Sequence, residues 1–252
     1  MNWRFINTGF NSGKFNMAYD IQLAKNCMTN EAILRLYRWK PNCISLGANQ
    51  GFDSINIEKA KEDSIDIVKR PTGGRAILHA EELTYSVTMP IERDSSARNI
   101  YSEINKALYE GLSLYNNKLA AVELESSQPD FREFYKEEQS AVCFAVPAKN
   151  ELKFDGRKLV GSAQRKLGSV ILQHGSILCG QFHKKIVDYL IVNEENYEKI
   201  ISSLNNTADL YSITGQEVNY DLLAQSIASG FESYFDMTLN ETIADMYFSL
   251  KN

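Results

Sequence analysis

Cysteine is sparse and scattered in this 252-residue chain, with four residues at 27, 43, 143 and 179. They form no CxxC pair and keep no ligand spacing with the three histidines, which argues against a zinc site. Without an export signal, disulfides are not expected either. Proline is equally scarce, at five residues, and no Gly/Ser-rich tract or run of one charge breaks the chain, so nothing reads as a linker. No internal repeat is visible. No window approaches the roughly 18 apolar residues of a membrane span, and the opening MNWRFINTGF lacks the continuous apolar core of a signal peptide. A soluble, cytoplasmic protein that does not engage a membrane is expected. Positive charge is short as well: a net charge of −5 argues against a nucleic-acid partner, which needs a basic face.

The remainder, 44% hydrophobic and 23% charged, is enough for a sizeable core and is read as one catalytic domain over 1–252, with a helical C-terminal part from about residue 181. Trp3 to Ile6 reads as a strand, and Met17 to Met28 as a helix with Asn16 as its cap. Ala32 to Tyr37 and Cys43 to Leu46 read as strands, and Ile57 to Lys61 as part of a short helix. Ile100, Ile104, Leu108 and Leu112 recur every fourth residue, so Arg98 to Tyr115 predicts a long amphipathic helix whose apolar stripe is core. Glu125 to Gln139 is polar and reads as an exposed loop. Asp155-Gly156 is a two-residue hairpin signal that sets Lys153 opposite Lys158, and a second turn at Leu167-Gly168 leads into Val170 to Leu178. Lys184 to Ile191, Tyr197 to Leu204 and Asp221 to Phe235 carry helical spacing. Strands in the middle with helices on either side imply an α+β fold built on a largely antiparallel mixed sheet.

The chemistry concentrates in Lys69 to Ser86, KRPTGGRAILHAEELTYS, where strands flank a Thr72-Gly73-Gly74 turn. Two adjacent glycines let a ligand approach the backbone and receive its N–H groups, while Arg70, Arg75 and His79 stand ready as further donors. That suits an anion or a carbonyl. A Gly-Gly pair by itself most often marks an ordinary hairpin, and the spacing fits neither standard phosphate loop.

This run resembles the signature of the biotin and lipoate protein ligase superfamily. Ser140 to Leu178, SAVCFAVPAKNELKFDGRKLVGSAQRKLGSVILQHGSIL, is similar to octanoyltransferases of the LipM type, and with WRFINTG the likeness spans about Asn2 to Leu178. It implies the same fold class and assigns Cys143, by its match through Phe144 and Pro147, as the acyl acceptor. By composition alone Cys143 is a buried strand residue. Cys27, Cys43 and Cys179 match no motif and read as core. Lys158, ordinarily a solvated charge, opens the GSAQ run, and the likeness implies that it reaches the acyl carbonyl. An ammonium there favours a thiolate and an oxyanion. The same likeness places Arg70, Thr72, Gly73, Gly74, Arg75, His79, Gly161, Ser162, Gln164, His174, Gly175 and Ser176 around the substrate, with His79 and His174 either orienting groups or structural, His174 leaning to the latter. Ile77, Val87 and Val160 are candidates for the apolar slot.

The implied reaction moves an octanoyl group from acyl carrier protein through a Cys143 thioester to a lysine of an apo lipoyl domain, such as the glycine cleavage H protein. It uses no cofactor, since a thioester is already activated. An acidic partner could dock on Lys149, Lys153, Arg157, Lys158, Arg165 and Lys166, opposed only by Glu151 and Asp155. An ATP-dependent lipoate ligase, an amidotransferase between lipoyl domains and a non-catalytic binder of acylated carriers are the other readings. Arg75, where many ligases have a third glycine, and the lack of a clear accessory C-terminal domain disfavour the ligase, and the pair Cys143 and Lys158 disfavours the binder.

Overall fold

A computed structural model describes residues 1–91, 95–125 and 151–241. Strand β1 (Asn2–Asn11) leads into α1 (Gly13–Asn26), capped by the Ser12 hydroxyl, which accepts from the Phe15 amide. Asn16 is therefore not the cap: it lies a turn inside the helix, buried, where its side chain takes another bond described below. The helix also ends before Met28, which is exposed. Next come β2 (Glu31–Trp39), β3 (Cys43–Leu46), α2 (Ile57–Glu62), β4 (Asp66–Lys69), β5 (Ile77–His79), β6 (Glu82–Pro90) and α3 (Ala97–Tyr115). A 3-10 turn at Asn117–Ala121 precedes β7 (Glu123–Leu124), and β8 (Leu152–Phe154), β9 (Arg157–Lys158), β10 (Val160–Leu167) and β11 (Val170–Leu178) follow. The rest comprises a 3-10 segment at Phe182–Tyr189, α4 (Glu194–Asn205), α5 (Leu210–Thr214), α6 (Tyr220–Phe235) and β12 (Asn240–Glu241).

The expected α+β class holds, and the strands divide among three sheets. Six form one sheet in the order β10-β11-β6-β2-β1-β12, antiparallel from β10 to β2, with β1 parallel to both β2 and β12. A smaller sheet runs β4-β3-β5, and a ribbon runs β7-β8-β9. The Gly-Gly loop is thus not a hairpin turn. It carries the chain from β4 across to β5, the two outer strands of the small sheet, because both pair with β3 between them.

Both faces of the large sheet are covered, which the period of two makes explicit. On β2 and β6, Ala32, Leu34, Leu36, Leu83, Tyr85 and Val87 join the core shared with Ile100, Ile104, Leu108 and Leu112 of α3 and with Ile227 and Phe231 of α6. The α3 stripe is core, as its spacing predicted. The two helices cross closely at Gly111 and Gly230, where a β-carbon on Gly230 would lie 2.2 Å from the Gly111 nitrogen. The opposite face meets α1 and the small sheet. Two smaller expectations shift: Lys158 to Gln164 breaks at Leu159 into β9 and β10, because the first part pairs with the ribbon and the second with β11, and the segment after Gln181 winds as 3-10. The Asp155-Gly156 turn, both residues at positive φ, pairs Lys153 with Lys158 as read from the sequence. Among the described residues, no helix is long and apolar enough to cross a membrane.

Candidate active site

The face of the large sheet that meets α1 and the small sheet carries small hydroxyl and ionisable residues. Strand register sets Arg35 beside Ser86 and Ser86 beside His174, and one row on sets Tyr37 beside Thr84 and Thr84 beside Ser176. Gly161 and Ala163 of β10 complete these rows opposite Ser176 and His174. Ser45, Ile77 and His79 of the small sheet face them across a narrow cleft. Met17, Tyr37 and Trp39 form much of its almost wholly apolar wall. Gly175 lets the strands behind the cleft pack closely: a β-carbon there would lie 2.4 Å from the Gly161 carbonyl oxygen and 2.8 Å from the ring of Tyr85, which belongs to the core on the other face.

Arg70 holds the Gly-Gly loop over this cleft. Its guanidinium donates to the carbonyls of Ser45 at 2.8 Å, Gly73 at 3.0 Å and Arg75 at 2.7 Å, and to the Ser45 hydroxyl at 3.1 Å. Gly74 takes φ +92°, and a β-carbon on Gly47 would lie 1.8 Å from its carbonyl oxygen, so two backbones touch here. Arg70 lines the cleft, but its protons go to the protein, so it shapes the loop where the sequence suggested a ligand donor. Arg75 is half-buried at the end of the loop, and Gly73 is exposed with nothing within 4 Å of where its β-carbon would stand.

Two histidines in the cleft are each bound through both nitrogens. His174 Nε2 lies 2.6 Å from Thr72 Oγ1, and its Nδ1 lies 3.4 Å from Asp20 Oδ2. His79 Nε2 lies 2.7 Å from Ser45 Oγ and its Nδ1 2.8 Å from Glu82 Oε1, while its ring stacks on Trp39 at 4.1 Å. Neither ring is thereby a free donor for a ligand. Behind them Asp20 accepts from Arg35 at 2.7 Å, Ser86 at 2.9 Å and Tyr37 at 3.0 Å, and Arg35 also donates to Asn16 Oδ1. Burial opposes charge on Asp20, yet Arg35 and His174 leave its carboxyl below the ordinary range. Burial likewise opposes charge on Glu82, and His79 with the Thr84 and Ser176 hydroxyls more than offsets it, so its pKa is lowered too. His174 is pulled down by burial against the opposing pull of Asp20. Asp20, Arg35, Ser45, Glu82 and Trp39 were missed by sequence reasoning, and only the alternation of Thr84, Ser86 and Thr88 with apolar residues on β6 hinted at a polar face.

Of the proposed slot residues, Ile77 lines the cleft, while Val87 and Val160 point into the core on the other side of the sheet. Gln164 does not line the cleft; it pairs with Gln173 at 3.1 Å. Lys158 is buried and paired with Glu151 at 2.9 Å, behind Ser162, rather than standing in the cleft wall. Lys153 pairs with Glu125 at 2.5 Å, so two of the six cations of the supposed docking edge are neutralised. Arg165 and Lys166 stay exposed, and Lys149 lies outside the described residues.

Residues 12–232 match the lipoyl protein ligase A/B catalytic domain. The chain belongs to this family. It is 33% identical over 246 residues to octanoyltransferase LipM of Staphylococcus aureus, an alignment covering 94% of this chain and 88% of that one. It is 34% identical over 245 residues to octanoyltransferase LipM of Bacillus subtilis, covering 94% and 87%. The fold matches a lipoate-protein ligase A solved with bound ATP, with a TM-score of 0.77 at 18% identity over 99% of this chain and 92% of that one. A bipartite lipoate protein ligase from Thermoplasma acidophilum matches equally, at 0.77 and 19% identity over 99% and 90%. In this lipoyl protein ligase family member, Cys143 and its neighbours Phe144 and Pro147 lie outside the described residues, as do residues 126–139, for which the sequence predicts a loop. Cys27, Cys43 and Cys179 are described, and burial pushes all three thiols up, Cys27 to about 11.

Proposed function

We propose that this chain is a cysteine-dependent octanoyltransferase of protein lipoylation. The observation that carries the reading is the 33–34% identity to octanoyltransferases along 94% of the chain. The cleft supports it, because an apolar wall suits a saturated acyl chain. Burial pushes the three described thiols up, which makes them poor nucleophiles and fits the assignment of the acyl acceptor to Cys143 by its likeness.

The Cys143 thiolate attacks the carbonyl carbon of an octanoyl thioester on acyl carrier protein. A new C–S bond forms, the old one breaks, and the carrier leaves as its thiol after taking a proton. The ε-amine of a lipoyl-domain lysine then attacks the acyl-enzyme, forming an amide and returning the cysteine. For Lys158, whose ammonium rests on Glu151 behind Ser162, to supply positive charge as the acyl oxygen becomes anionic, the carbonyl must come to the Ser162 side of the cleft. Arg70, Thr72 and His174 hold the loop in place, and His79 with Trp39 closes the inner wall. Arg165 and Lys166 remain as exposed cations for an acidic carrier.

A thioester stores the free energy that an amide-forming ligase takes from ATP. Purified protein is expected to octanoylate an apo lipoyl domain from octanoyl carrier protein without nucleotide, and to fail with free octanoate, ATP and magnesium. Intact-mass spectrometry of the enzyme should show one octanoyl adduct that is lost in Cys143→Ala and kept in Cys179→Ala. Efficient use of free lipoate with ATP and an inert thioester would replace this reading with the ligase. A donor that works only as an octanoylated lipoyl domain would replace it with the amidotransferase.

A further inference from the structure

We propose that Glu151 is the positioning residue for Lys158, fixing where its ammonium stands relative to the cleft. The inference rests on the transferase reading of Lys158. Both side chains are almost fully buried, at 3% exposure for Lys158 and 2% for Glu151, and Lys158 Nζ lies 2.9 Å from Glu151 Oε2. The other oxygen, Oε1, accepts from the backbone N–H of Ser162 at 3.0 Å and from the Tyr101 hydroxyl at 3.3 Å. Ser162 lines the cleft, so a backbone amide of the cleft wall anchors the carboxylate that holds the ammonium.

The backbones on both sides are fixed as well. Lys158 donates its N–H to Asn206 and accepts from Ala208, and the Glu151 carbonyl accepts from Glu125. Lys158 ends the ribbon strand β9 just before the chain enters β10 of the large sheet, so the ion pair sits at the joint between the two. A buried ammonium needs a counter-charge, and a carboxylate tied at its other oxygen leaves that ammonium one place to be. Sequence reasoning took Glu151 only as a stray negative charge in a basic segment. The geometry makes it the group through which the cleft wall dictates the position of Lys158.

The test is a cycle on the full chain with octanoyl carrier protein as acyl donor, reading the rate of Cys143 adduct formation by mass. Glu151→Gln keeps the shape and the Ser162 acceptor and removes the charge. It is expected to slow adduct formation about 10-fold or more at saturating donor, with little change in the half-saturating concentration. In a Lys158→Met background the same change is expected to slow the reaction by less than about 2-fold, because its effect runs through Lys158. Equal slowing in both backgrounds, or none in the parent, overturns the proposal. If Glu151→Gln alone does not fold, Lys158→Met and the doubly neutral variant, which carries no buried unpaired charge, still give the deciding comparison. If the parent chain forms no adduct, the transferase reading fails, and labelling of Lys158 by an amine reagent still reads the ion pair. Labelling faster in Glu151→Gln than in the parent supports Glu151 as its holder, and equal labelling overturns it.

Discussion

Thr72 Oγ1 and His174 Nε2, 102 residues apart in sequence, meet at 2.6 Å and tie the Gly-Gly loop to strand β11 of the large sheet. The bond continues through His174 to Asp20 and from there to Arg35, so the position of a glycine loop depends on a salt bridge buried beneath α1. A polar chain of this kind holds geometry as long as each member is satisfied.

Removing the hydroxyl from this bond should be felt in both stability and rate. Thr72→Val leaves His174 Nε2 buried without its partner, which costs about 1–3 kcal/mol. The urea midpoint should fall accordingly, and transfer should slow because the loop loses its anchor. Thr72→Ser, which restores the hydroxyl, should recover most of both. If Thr72→Val equals the parent in both measurements, the loop is held by Arg70 alone.

Gly47 and Gly73 should respond in opposite ways to the same substitution. A β-carbon at Gly47 would stand 1.8 Å from the Gly74 carbonyl oxygen, backbone against backbone, whereas one at Gly73 meets nothing within 4 Å. Gly47→Ala should therefore displace the loop and reduce transfer about 100-fold, the penalty for roughly 1 Å of misplacement in a site. Gly73→Ala should leave the thermal midpoint within a degree or two of the parent.

The crossing of α3 and α6 makes a purely structural prediction. Gly230→Ala places a methyl 2.2 Å from the Gly111 nitrogen and 2.4 Å from its Cα, and neither backbone can yield without moving its helix. Overpacking of this kind costs about 1–3 kcal/mol. Thermal unfolding should show the loss, with the apolar cleft on the other face of the sheet left to bind octanoate as before.

What the sequence made legible was whatever depends on near neighbours. The four-residue recurrence in α3 and the Asp155-Gly156 turn both resolve within a few residues, and both read correctly. The site failed wherever its logic runs across the sheet. Arg70 and His79 look like ligand donors in a linear reading because a partner they share, the Ser45 hydroxyl, comes from a strand 25 and 34 residues away. Asn16 looks like a cap because its partner Arg35 is 19 residues on, in the next element. Val87 and Val160 looked like slot residues because a strand does not announce which of its two buried faces is which.

The third histidine provides a pH test away from the cleft. His183 lies between the Gly180 carbonyl at 3.2 Å and the Thr207 hydroxyl at 3.0 Å, and burial pulls its pKa down from 6.5 to about 4. The unfolded chain binds the proton first as pH falls, so the stability due to neutral His183 is fully present above pH 6.5 and drains away between there and about 4. By pH 5 the loss from this residue is about 2 kcal/mol. His174, also lowered from 6.5, adds in the same direction. Asp20 and Glu82 are lowered from 3.8 and 4.5, so their contribution is lost only at more acid pH. Urea unfolding at pH 7.5 and pH 5 should therefore show a clear drop for the parent chain and a smaller one for His183→Gln, which keeps polar atoms in the space but takes up no proton. An equal drop in the two would mean that His183 is not held neutral by its surroundings.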